Sequence, residues 1–281
     1  MIVSWNGNLI EGGEFTLQVS DGVFLRGEGV FETIRAEKGE PCLWNQHFER
    51  LAYSAEKLGL KIPDRLILLD WIRRVIVANQ LESARVRLTL GEGCLISAEP
   101  LPEERGEIHV VTSSCPVNEQ SPLAQVKCTS YAENMFLLRE SGVDEVIRPN
   151  TRGEICEGCI SNLFFVKSGM IYTPSLQTGC LPGVMRQEVM RHIEVREVEW
   201  AMADLKSCDE IWLSNALRRL RAVTSIDGRD LAKPSELFSK ALTCVLPYRG
   251  KQSLLLSYRS HRLEFPRFPL SLLVRSISGD L

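Results

Sequence analysis

The sequence predicts an α+β fold for this chain of 281 residues. Short β-prone runs separated by turn residues begin the chain, and two stretches with apolar residues at helical spacing follow them. Further on, the apolar run 161–166 is followed by the turn Lys167–Ser168–Gly169 and a second β-prone run at 170–173, which predicts a hairpin. Both kinds of element are therefore expected, and a chain of this length can bury a substantial core.

The composition is typical of a soluble globular protein, with 44% hydrophobic and 25% charged residues. A net charge of −3 gives no indication of a nucleic-acid partner, and no apolar run approaches the roughly 20 residues of a membrane span. The first residues lack the basic start and long apolar core of a secretory signal. Nine scattered cysteines favour a reducing compartment. We therefore expect a cytoplasmic protein that binds neither nucleic acid nor membranes.

Strands and turns are predicted for the first 43 residues. Asn6–Gly7 is a strong hairpin signal directly after the β-prone run 2–5. A longer strand is predicted at 30–36, and Lys38–Gly39 supplies the turn after it.

Two amphipathic helices are predicted next. Asn45 is expected to cap the first, which runs to about Leu58, and Asp64 begins the second. Their inward faces are expected to consist of apolar residues at helical spacing. These are Phe48, Leu51, Ala52, Ala55 and Leu58 in the first helix, and Leu68, Trp71, Ile72, Val75 and Ile76 in the second.

A smaller N-terminal domain is expected to comprise residues 1–121. Strands at 85–90 and 107–113 complete it, and a polar, turn-rich loop at 91–106 joins these two strands.

A larger domain is expected at residues 122–246. Besides the hairpin, its predicted helices lie at 131–140 and 183–192 and after residue 234, and its predicted strands at 144–148, 195–200, 210–213 and 222–226. The tail 247–281 has six Lys and Arg residues against two acidic residues. The residues leave two structures open for this tail: an extended or partly disordered segment, or a segment packed on a partner subunit.

The two ends of the predicted hairpin carry groups that could hold one ligand. The carboxylate of Glu157 precedes its first strand, and residues 183–186 open a helix after its second. A helix N-terminus has unpaired N–H groups and a positive dipole end, so it binds phosphate readily. Together these groups predict a ligand with a basic ring and a phosphate.

The motifs in this region resemble those of the class IV aminotransferases, which depend on pyridoxal 5'-phosphate (PLP). E-G-x-x-S-N-L-F, Y-T-P and L-P-G-x-x-R-Q occur in order from residue 157, and similar blocks extend over about residues 4–246. The family includes branched-chain and D-amino acid aminotransferases and aminodeoxychorismate lyases. The resemblance implies a fold-type-IV enzyme with two α/β domains, PLP at their junction, and a homodimer.

Roles for individual residues come from the same resemblance. V-K-C-T-S-Y-A-E-N is similar to the family's K-x-x-N-Y block, which implies that Lys127 is the catalytic lysine that bonds to the cofactor aldehyde and that Tyr131 lies beside it. The residues alone would also allow a surface lysine at this position. The block H-F-E-R-L implies Arg50 as a phosphate ligand, and Glu157 would hold the protonated pyridine nitrogen. The remaining phosphate ligands implied are the N–H groups of Val184 and Met185 and the turn with Asn215 and Ala216.

The substrate is indicated by departures from the branched-chain and D-amino acid enzymes. R-G-E-G-V-F-E-T-I-R places Arg26 and Thr33 where branched-chain enzymes have tyrosine and glycine, so both are candidate substrate-binding residues. The R-x-H pair of D-amino acid enzymes is absent. The forms F-E-T-I-R and S-N-A-L-R are more similar to aminodeoxychorismate lyases. The resemblance therefore implies conversion of 4-amino-4-deoxychorismate into 4-aminobenzoate and pyruvate, a step of folate synthesis.

Two alternatives stay open at this point. The chain could be an aminotransferase acting on branched-chain or D-amino acids with 2-oxoglutarate, or, more remotely, a non-catalytic binding protein with the same fold. Cys156 and Cys159 form C-x-x-C, but a zinc site needs a second pair at suitable spacing. No metal site is therefore predicted.

Overall fold

An antiparallel sheet of six strands is built by the first hundred residues, in the order β2-β1-β6-β5-β3-β4. Its strands are β1 (Ile2–Trp5), β2 (Asn8–Glu11), β3 (Val30–Glu37), β4 (Glu40–Pro41), β5 (Ser83–Leu90) and β6 (Cys94–Pro100). The computed structural model describes residues 1–12, 16, 20–103 and 106–245. The predicted tail, 247–281, lies outside the described residues.

The predicted turns of this sheet are confirmed. Asn6 and Gly7 have φ of 48° and 84°, and Lys38 and Gly39 have φ of 54° and 78°. Paired positive φ values are typical of the tight turns that match the twist of a hairpin.

Two helices cover one face of the sheet, and a short helix, α1 (Gly22–Arg26), precedes β3. The covering helices are α2 (Trp44–Lys57) and α3 (Arg65–Ala78). Asp64 caps α3 as predicted, because its carboxylate accepts a hydrogen bond from the N–H of Leu66 at 2.7 Å. A core forms between sheet and helices from alternate strand residues and helix residues, namely Val30, Ile34, Val86, Leu88, Ile96, Leu51, Ala55, Leu68, Ile72 and Ile76.

Two predictions in this part are wrong. The segment predicted as a loop contains β6, in which Cys94, Ile96 and Ala98 are buried and the residues between them are partly exposed. This period of two is that of a half-buried strand. Asn45 does not cap α2, because the helix begins at Trp44 and the cap residue Leu43 adopts a left-handed conformation without a side-chain hydrogen bond.

Two five-stranded sheets follow, in the orders β12-β11-β10-β13-β14 and β16-β15-β7-β8-β9. Their strands are β7 (His109–Thr112), β8 (Glu145–Pro149), β9 (Ile155–Gly158), β10 (Asn162–Lys167), β11 (Met170–Pro174), β12 (Arg196–Val198), β13 (Glu210–Asn215), β14 (Arg219–Ala222), β15 (Ser225–Ile226) and β16 (Arg229–Asp230). The predicted hairpin is confirmed as β10 and β11. The single strand predicted at 222–226 is wrong, because β14 pairs with β13 whereas β15 pairs with β7 in the other sheet.

Three further α-helices follow, α4 (Ala132–Ser141), α5 (Val184–His192) and α6 (Glu236–Val245), and two short 3₁₀ helices lie at Leu176–Thr178 and Met202–Ser207. The starts of the three α-helices were predicted to within two residues. Leu237, Ala241 and Val245 of α6 pack with α5 and the sheet around Phe164 and Trp212. None of the described helices is long and apolar enough to cross a membrane.

The segment between β7 and α4 passes from one sheet to another. Val117 bridges to Asn150 after β8, and Cys128 bridges to Val30 of β3. This path places residue 127 against the six-stranded sheet. The domain division at residue 121 stays a prediction, with β7 before it and its neighbour β8 after it.

Candidate active site

A cavity of about 610 Å³ lies against the face of β3 and β5 that the helices do not cover. Of the predicted site residues, Thr33, Arg50, Lys127, Tyr131, Glu157, Val184, Met185, Asn215 and Ala216 line it. Residues distant in sequence are therefore brought together around one volume. Arg26 is not among the lining residues; it lies exposed at the end of α1 and forms an ion pair with Glu28 at 2.7 Å. The role predicted for Arg26 thus has no support from its position in this chain.

Lys127 is held in place through its backbone. Its carbonyl accepts a hydrogen bond from the N–H of Phe31 at 2.9 Å, and its N–H donates to the hydroxyl of Ser54 at 3.3 Å. The side chain extends over aromatic rings, with Nζ 4.4 Å from the ring centre of Phe31 and 5.5 Å from that of Tyr131. Burial, reinforced by the nearby Arg50, lowers the pKa of Lys127 to about 8. A substantial fraction of the amine is then neutral near physiological pH, as a nucleophile and base requires.

Glu157 occupies β9 on another wall of the cavity. The N–H of Leu181 donates to its Oε2 at 2.7 Å, which fixes the carboxylate. Burial raises the pKa of Glu157 to about 7, although this hydrogen bond and the cations Lys127, Arg148 and Arg50 oppose the rise. The carboxylate can therefore stabilise a cationic ring nitrogen strongly, since a buried anion without a full counter-charge gains most from a cation.

Arg50 belongs to a buried cluster with two partners. Its Nε and Nη2 donate to both oxygens of Glu32, at 2.8 and 2.6 Å, and Nδ1 of His47 lies 2.6 Å from the same carboxylate. Nη1 of Arg50 reaches the carbonyl of Pro182 at 3.3 Å, next to the start of α5. Burial alone would raise the pKa of Glu32, but attraction to Arg50 and His47 outweighs it and lowers that pKa to about 2. The sheet thus holds the guanidinium of Arg50 at the N-terminus of α5.

The N-terminus of α5 is open for an anion. Gly183 precedes the helix and no side chain caps it, so the first N–H groups of the helix are not used by a cap. A methyl group at Gly183 would lie 1.8 Å from Oδ1 of Asn162. Asn162 itself donates to the carbonyl of Leu181 at 2.8 Å. Glycine therefore lets the chain pass close to Asn162 as it enters the helix.

The turn after β13 lines the same cavity as the N-terminus of α5. Oδ1 of Asn215 accepts hydrogen bonds from the N–H groups of Leu217 and Arg218, at 3.2 and 2.8 Å. The side chain of Asn215 therefore shapes the turn, and Ala216 lies within it on the cavity wall.

Tyr131 packs edge-on against Phe31, with ring centres 5.4 Å apart and planes at 85°. Its hydroxyl donates to the carbonyl of Cys159, which also accepts from the side chain of Asn134. Burial raises the pKa of Tyr131 well above its ordinary value, so the phenol remains protonated.

Four charged or titratable residues at or beside the cavity were not predicted from the sequence: Glu32, His47, Arg87 and Arg148. Glu32 could have been identified from the alternation of β3, because it lies on the same face of the strand as Val30 and Ile34, which are buried in the core. A carboxylate at such a position requires a charged partner. Arg148 pairs across the strands with Glu157, a neighbour that only the β8–β9 register reveals.

These groups fit PLP in number and chemistry. An amine suits the aldehyde, a carboxylate suits the ring nitrogen, and an arginine beside an uncapped helix suits the phosphate. The uncapped N-terminus of α5, whose first residues Val184 and Met185 line the cavity, is an observation of this structure that agrees with a phosphate ligand there. Among the described residues, no group of His, Cys, Asp or Glu is arranged to hold a metal ion.

Comparisons with known proteins identify the same family. The model of the family Amino-transferase class IV matches residues 29–226. An aminodeoxychorismate lyase from Bacillus subtilis is 29% identical over 269 residues, covering 84% of this chain and 90% of the relative. A putative branched-chain-amino-acid aminotransferase from Methanocaldococcus jannaschii is 29% identical over 260 residues, covering 82% and 89%. The PLP-bound form of a hypothetical aminotransferase from Mycobacterium tuberculosis has a similar fold, with a TM-score of 0.79, 24% identity and coverage of 88% and 99%.

Proposed function

Because this chain belongs to the class IV aminotransferase family, whose members are PLP-dependent enzymes, we propose that it is a lyase that converts 4-amino-4-deoxychorismate into 4-aminobenzoate and pyruvate. The observation that carries this proposal is the amine of Lys127, with a pKa of about 8, in one cavity with Glu157 and Arg50. The lyase relative from Bacillus subtilis supports the choice of reaction.

Each of the chain's own residues would have a separate role in the reaction. Arg50 and the N–H groups of Val184 and Met185 would bind the phosphate, and Glu157 would accept a hydrogen bond from the ring nitrogen and hold its proton. Bound PLP supplies an electron sink for the carbanion formed next to the substrate nitrogen. Lys127 Nζ would take the proton from the carbon that carries the amino group.

Departure of the enolpyruvyl group would need no protein group other than Lys127. Once that proton is on Lys127, the bond between the neighbouring ring carbon and the enolpyruvyl oxygen breaks, and its electron pair leaves with the oxygen. The ring becomes aromatic, and the released enol takes up a proton to give pyruvate. Lys127 can return the proton to the departing group, so acid and base are the same side chain.

A second candidate is an aminotransferase acting on branched-chain or D-amino acids with 2-oxoglutarate. The observation that favours it is the Methanocaldococcus jannaschii relative, which is as similar to this chain as the lyase, at 29% identity.

The test is to offer the cofactor-loaded protein 4-amino-4-deoxychorismate, and separately branched-chain or D-amino acids with 2-oxoglutarate. We expect pyruvate and 4-aminobenzoate in equal amounts without amino-group transfer. Glutamate formed from an amino acid would instead establish the aminotransferase. The control is Lys127→Ala, which should fold normally and lose turnover. Treatment with borohydride should fix PLP permanently to the wild-type protein but not to this variant.

We also propose a cytoplasmic homodimer that acts in folate synthesis. All nine cysteines are free thiols, which supports a reducing compartment. Exposed apolar side chains near the cavity support a dimer: Phe24 and Leu25 on α1, Leu123, and Met135 and Phe136 on α4. α1 and α4 are linked. The hydroxyl groups of Thr129 and Ser130, which lie just before α4, donate hydrogen bonds to the carbonyl of Gly27, which follows α1.

A further inference from the structure

Arg148 is a buried arginine to which the proposed mechanism gives no role. It lies on β8, is 4% exposed and belongs to the wall of the cavity. In the register of β8 and β9 it stands directly opposite Glu157, the carboxylate proposed to hold the ring nitrogen. Side chains paired in this way lie on the same face of a sheet, with their Cβ atoms about 5 Å apart. Arg148 is therefore a close neighbour of Glu157.

The guanidinium of Arg148 binds two segments outside its own sheet strand. Nε donates to the carbonyl of Cys115 at 3.2 Å, and Nη2 donates to the carbonyl of Pro116 at 2.9 Å. Nη1 donates to Oδ1 of Asn134 at 2.7 Å, and Nη2 also forms an ion pair with Glu133. The first two acceptors follow β7, whereas the last two lie in the first turn of α4. One planar group with donors in fixed directions thus joins β8 both to the segment after β7 and to α4.

Within one subunit, α4 is held in place by polar contacts. None of its residues is buried, and its apolar residues Met135 and Phe136 are 42% and 54% exposed. A helix is usually stabilised in a protein by the packing of an apolar face, which α4 lacks. Besides its contact with Arg148, the side chain of Asn134 donates to the carbonyl of Cys159 at 2.7 Å. The position of the first turn of α4 therefore depends on these hydrogen bonds.

The start of α4 affects the site because Tyr131 immediately precedes the helix. Its hydroxyl donates to the same carbonyl of Cys159 that Asn134 binds, and its ring packs edge-on against Phe31. Nζ of Lys127 lies 5.5 Å from the centre of the Tyr131 ring. A displacement of the first turn of α4 would therefore move the wall beside the amine of Lys127.

We propose that Arg148 is a positioning residue that holds the first turn of α4, and with it Tyr131, against the strand that carries Glu157. The carboxylate for the ring nitrogen and the wall beside Lys127 are thereby kept in one fixed arrangement. Each of the three nitrogens of Arg148 donates to a protein acceptor, so the residue acts on the site through these neighbours. This inference rests on the proposed roles of Glu157 and Lys127.

The first measurement is hydrogen exchange of the cofactor-free protein, in which the amides of α4 are compared with those of α3 in the same sample. In Arg148→Met we expect the amides of α4 to exchange at least about 10-fold faster, because several hydrogen bonds to the helix are lost. Arg148→Lys should recover only part of the protection, because an ammonium group lacks the planar fork.

Arg152→Met is the matched control for this exchange measurement. Arg152 lies in the turn after β8, and its described partners are Glu119, Glu154 and the carbonyl of Gln177, none of which belongs to α4. The control therefore also removes an arginine that joins several segments of the same part of the fold. We expect the exchange of α4 to be the same in Arg152→Met as in the wild-type protein of the same oligomeric state.

The second measurement is the pH dependence of PLP affinity, which a purely structural role of Arg148 would not alter. Burial raises the pKa of Glu157 to about 7. The positive charges of Lys127, Arg148 and Arg50 oppose this rise. Without the charge of Arg148, Glu157 should take up its proton at a higher pH, so in Arg148→Met the fall in PLP affinity should begin at a higher pH than in the wild-type protein. Arg148→Lys keeps the charge and should keep the wild-type midpoint.

The outcomes separate this inference from the proposed function. Faster exchange of α4 together with a raised midpoint in Arg148→Met would support the positioning role. Exchange of α4 at the wild-type rate would show that Arg148 does not hold the helix, and faster exchange with an unchanged midpoint would make Arg148 a residue of stability alone; either result overturns the proposal. If the wild-type enzyme releases no pyruvate, the lyase assignment fails, but the exchange and PLP measurements still decide the role of Arg148.

Discussion

Glu32 is a fully buried carboxylate that determines where two basic side chains lie. Both of its oxygens bind Arg50, and one also contacts Nδ1 of His47. Burial lowers the pKa of His47, although its contact with Glu32 opposes this shift. The formal charges of Arg50 and Glu32 cancel, yet the guanidinium still presents Nη1 toward the start of α5.

Replacing Glu32 by Gln should therefore destabilise the protein and weaken PLP binding together. The variant leaves the buried guanidinium of Arg50 without its anion, a change that typically costs about 3–5 kcal/mol of unfolding free energy. Urea denaturation of the cofactor-free protein measures this cost. Glu40→Gln is the control, because it breaks only the exposed ion pair with Arg73 and should cost less than about 1 kcal/mol. Equal losses in the two variants would contradict the role of Glu32.

Glu157 makes PLP affinity depend on pH. Its pKa in the cofactor-free protein is raised to about 7, so the carboxylate gains a proton as the pH falls through 7 and can no longer stabilise a cationic ring nitrogen. We expect PLP affinity, measured by absorbance titration, to fall as the pH is lowered below about 7. At high pH, Glu157→Gln should bind PLP more weakly than the wild-type protein does. Its PLP affinity should lack the fall below pH 7 that we assign to Glu157. A decline of the same size in the variant would assign the pH dependence to another group.

At the scale of elements, predictions succeeded where the signal is local. The β10–β11 hairpin and α3 carry their own turn or cap, Ser168–Gly169 in one and Asp64 in the other. β6 was missed because its alternation is short and lies between a glycine-rich turn and prolines. The division of 222–226 between two sheets depends on which strands are neighbours, which no local pattern encodes.

The start of α5 is an element whose local geometry has a functional consequence. Gly183→Ala would place a methyl group 1.8 Å from Oδ1 of Asn162, so either Asn162 or the first turn of α5 must move. We expect PLP affinity to fall by at least about 10-fold, since hydrogen-bond strength declines steeply when N–H groups lose alignment. Gly106→Ala is the control, because its methyl group would meet nothing within 4 Å. Unchanged PLP affinity in Gly183→Ala would show that the close packing of Gly183 against Asn162 does not shape the phosphate site.

At the scale of the whole molecule, the cavity exists because the chain returns to the first sheet before α4. Lys127 was identified from its resemblance to a motif, and the structure explains its position by the bridge between Cys128 and Val30. The predictions for Glu157, Arg50 and the start of α5 likewise rested on short motifs. Arg148 and Glu32 escaped prediction because their significance lies in contacts between strands and helices distant in sequence.

The proposed homodimer can be tested on the apolar residues near the cavity. Phe136 on α4 is 54% exposed, and Phe136→Glu would introduce a charge into the proposed interface. We expect wild-type protein to be a dimer in light scattering and Phe136→Glu to shift toward monomer. Val77 on α3 is 72% exposed on the other side of the first sheet, and Val77→Glu should leave the dimer intact. A monomeric wild-type protein would refute the dimer, and a fully dimeric Phe136→Glu would place the interface elsewhere.

Successive residues of β3 serve opposite sides of one sheet. Glu32 points toward α2 and holds Arg50, whereas Phe31 and Thr33 line the cavity beside Lys127 and Arg87. Adding or deleting a single residue within this strand would exchange the two sets, placing an aromatic ring against the helices and the carboxylate in the cavity. Any change in strand length would then remove the anionic partner of Arg50 and the cavity wall beside Lys127 in one event. Length variation among relatives should therefore be confined to the turn at Lys38–Gly39, beyond the end of β3.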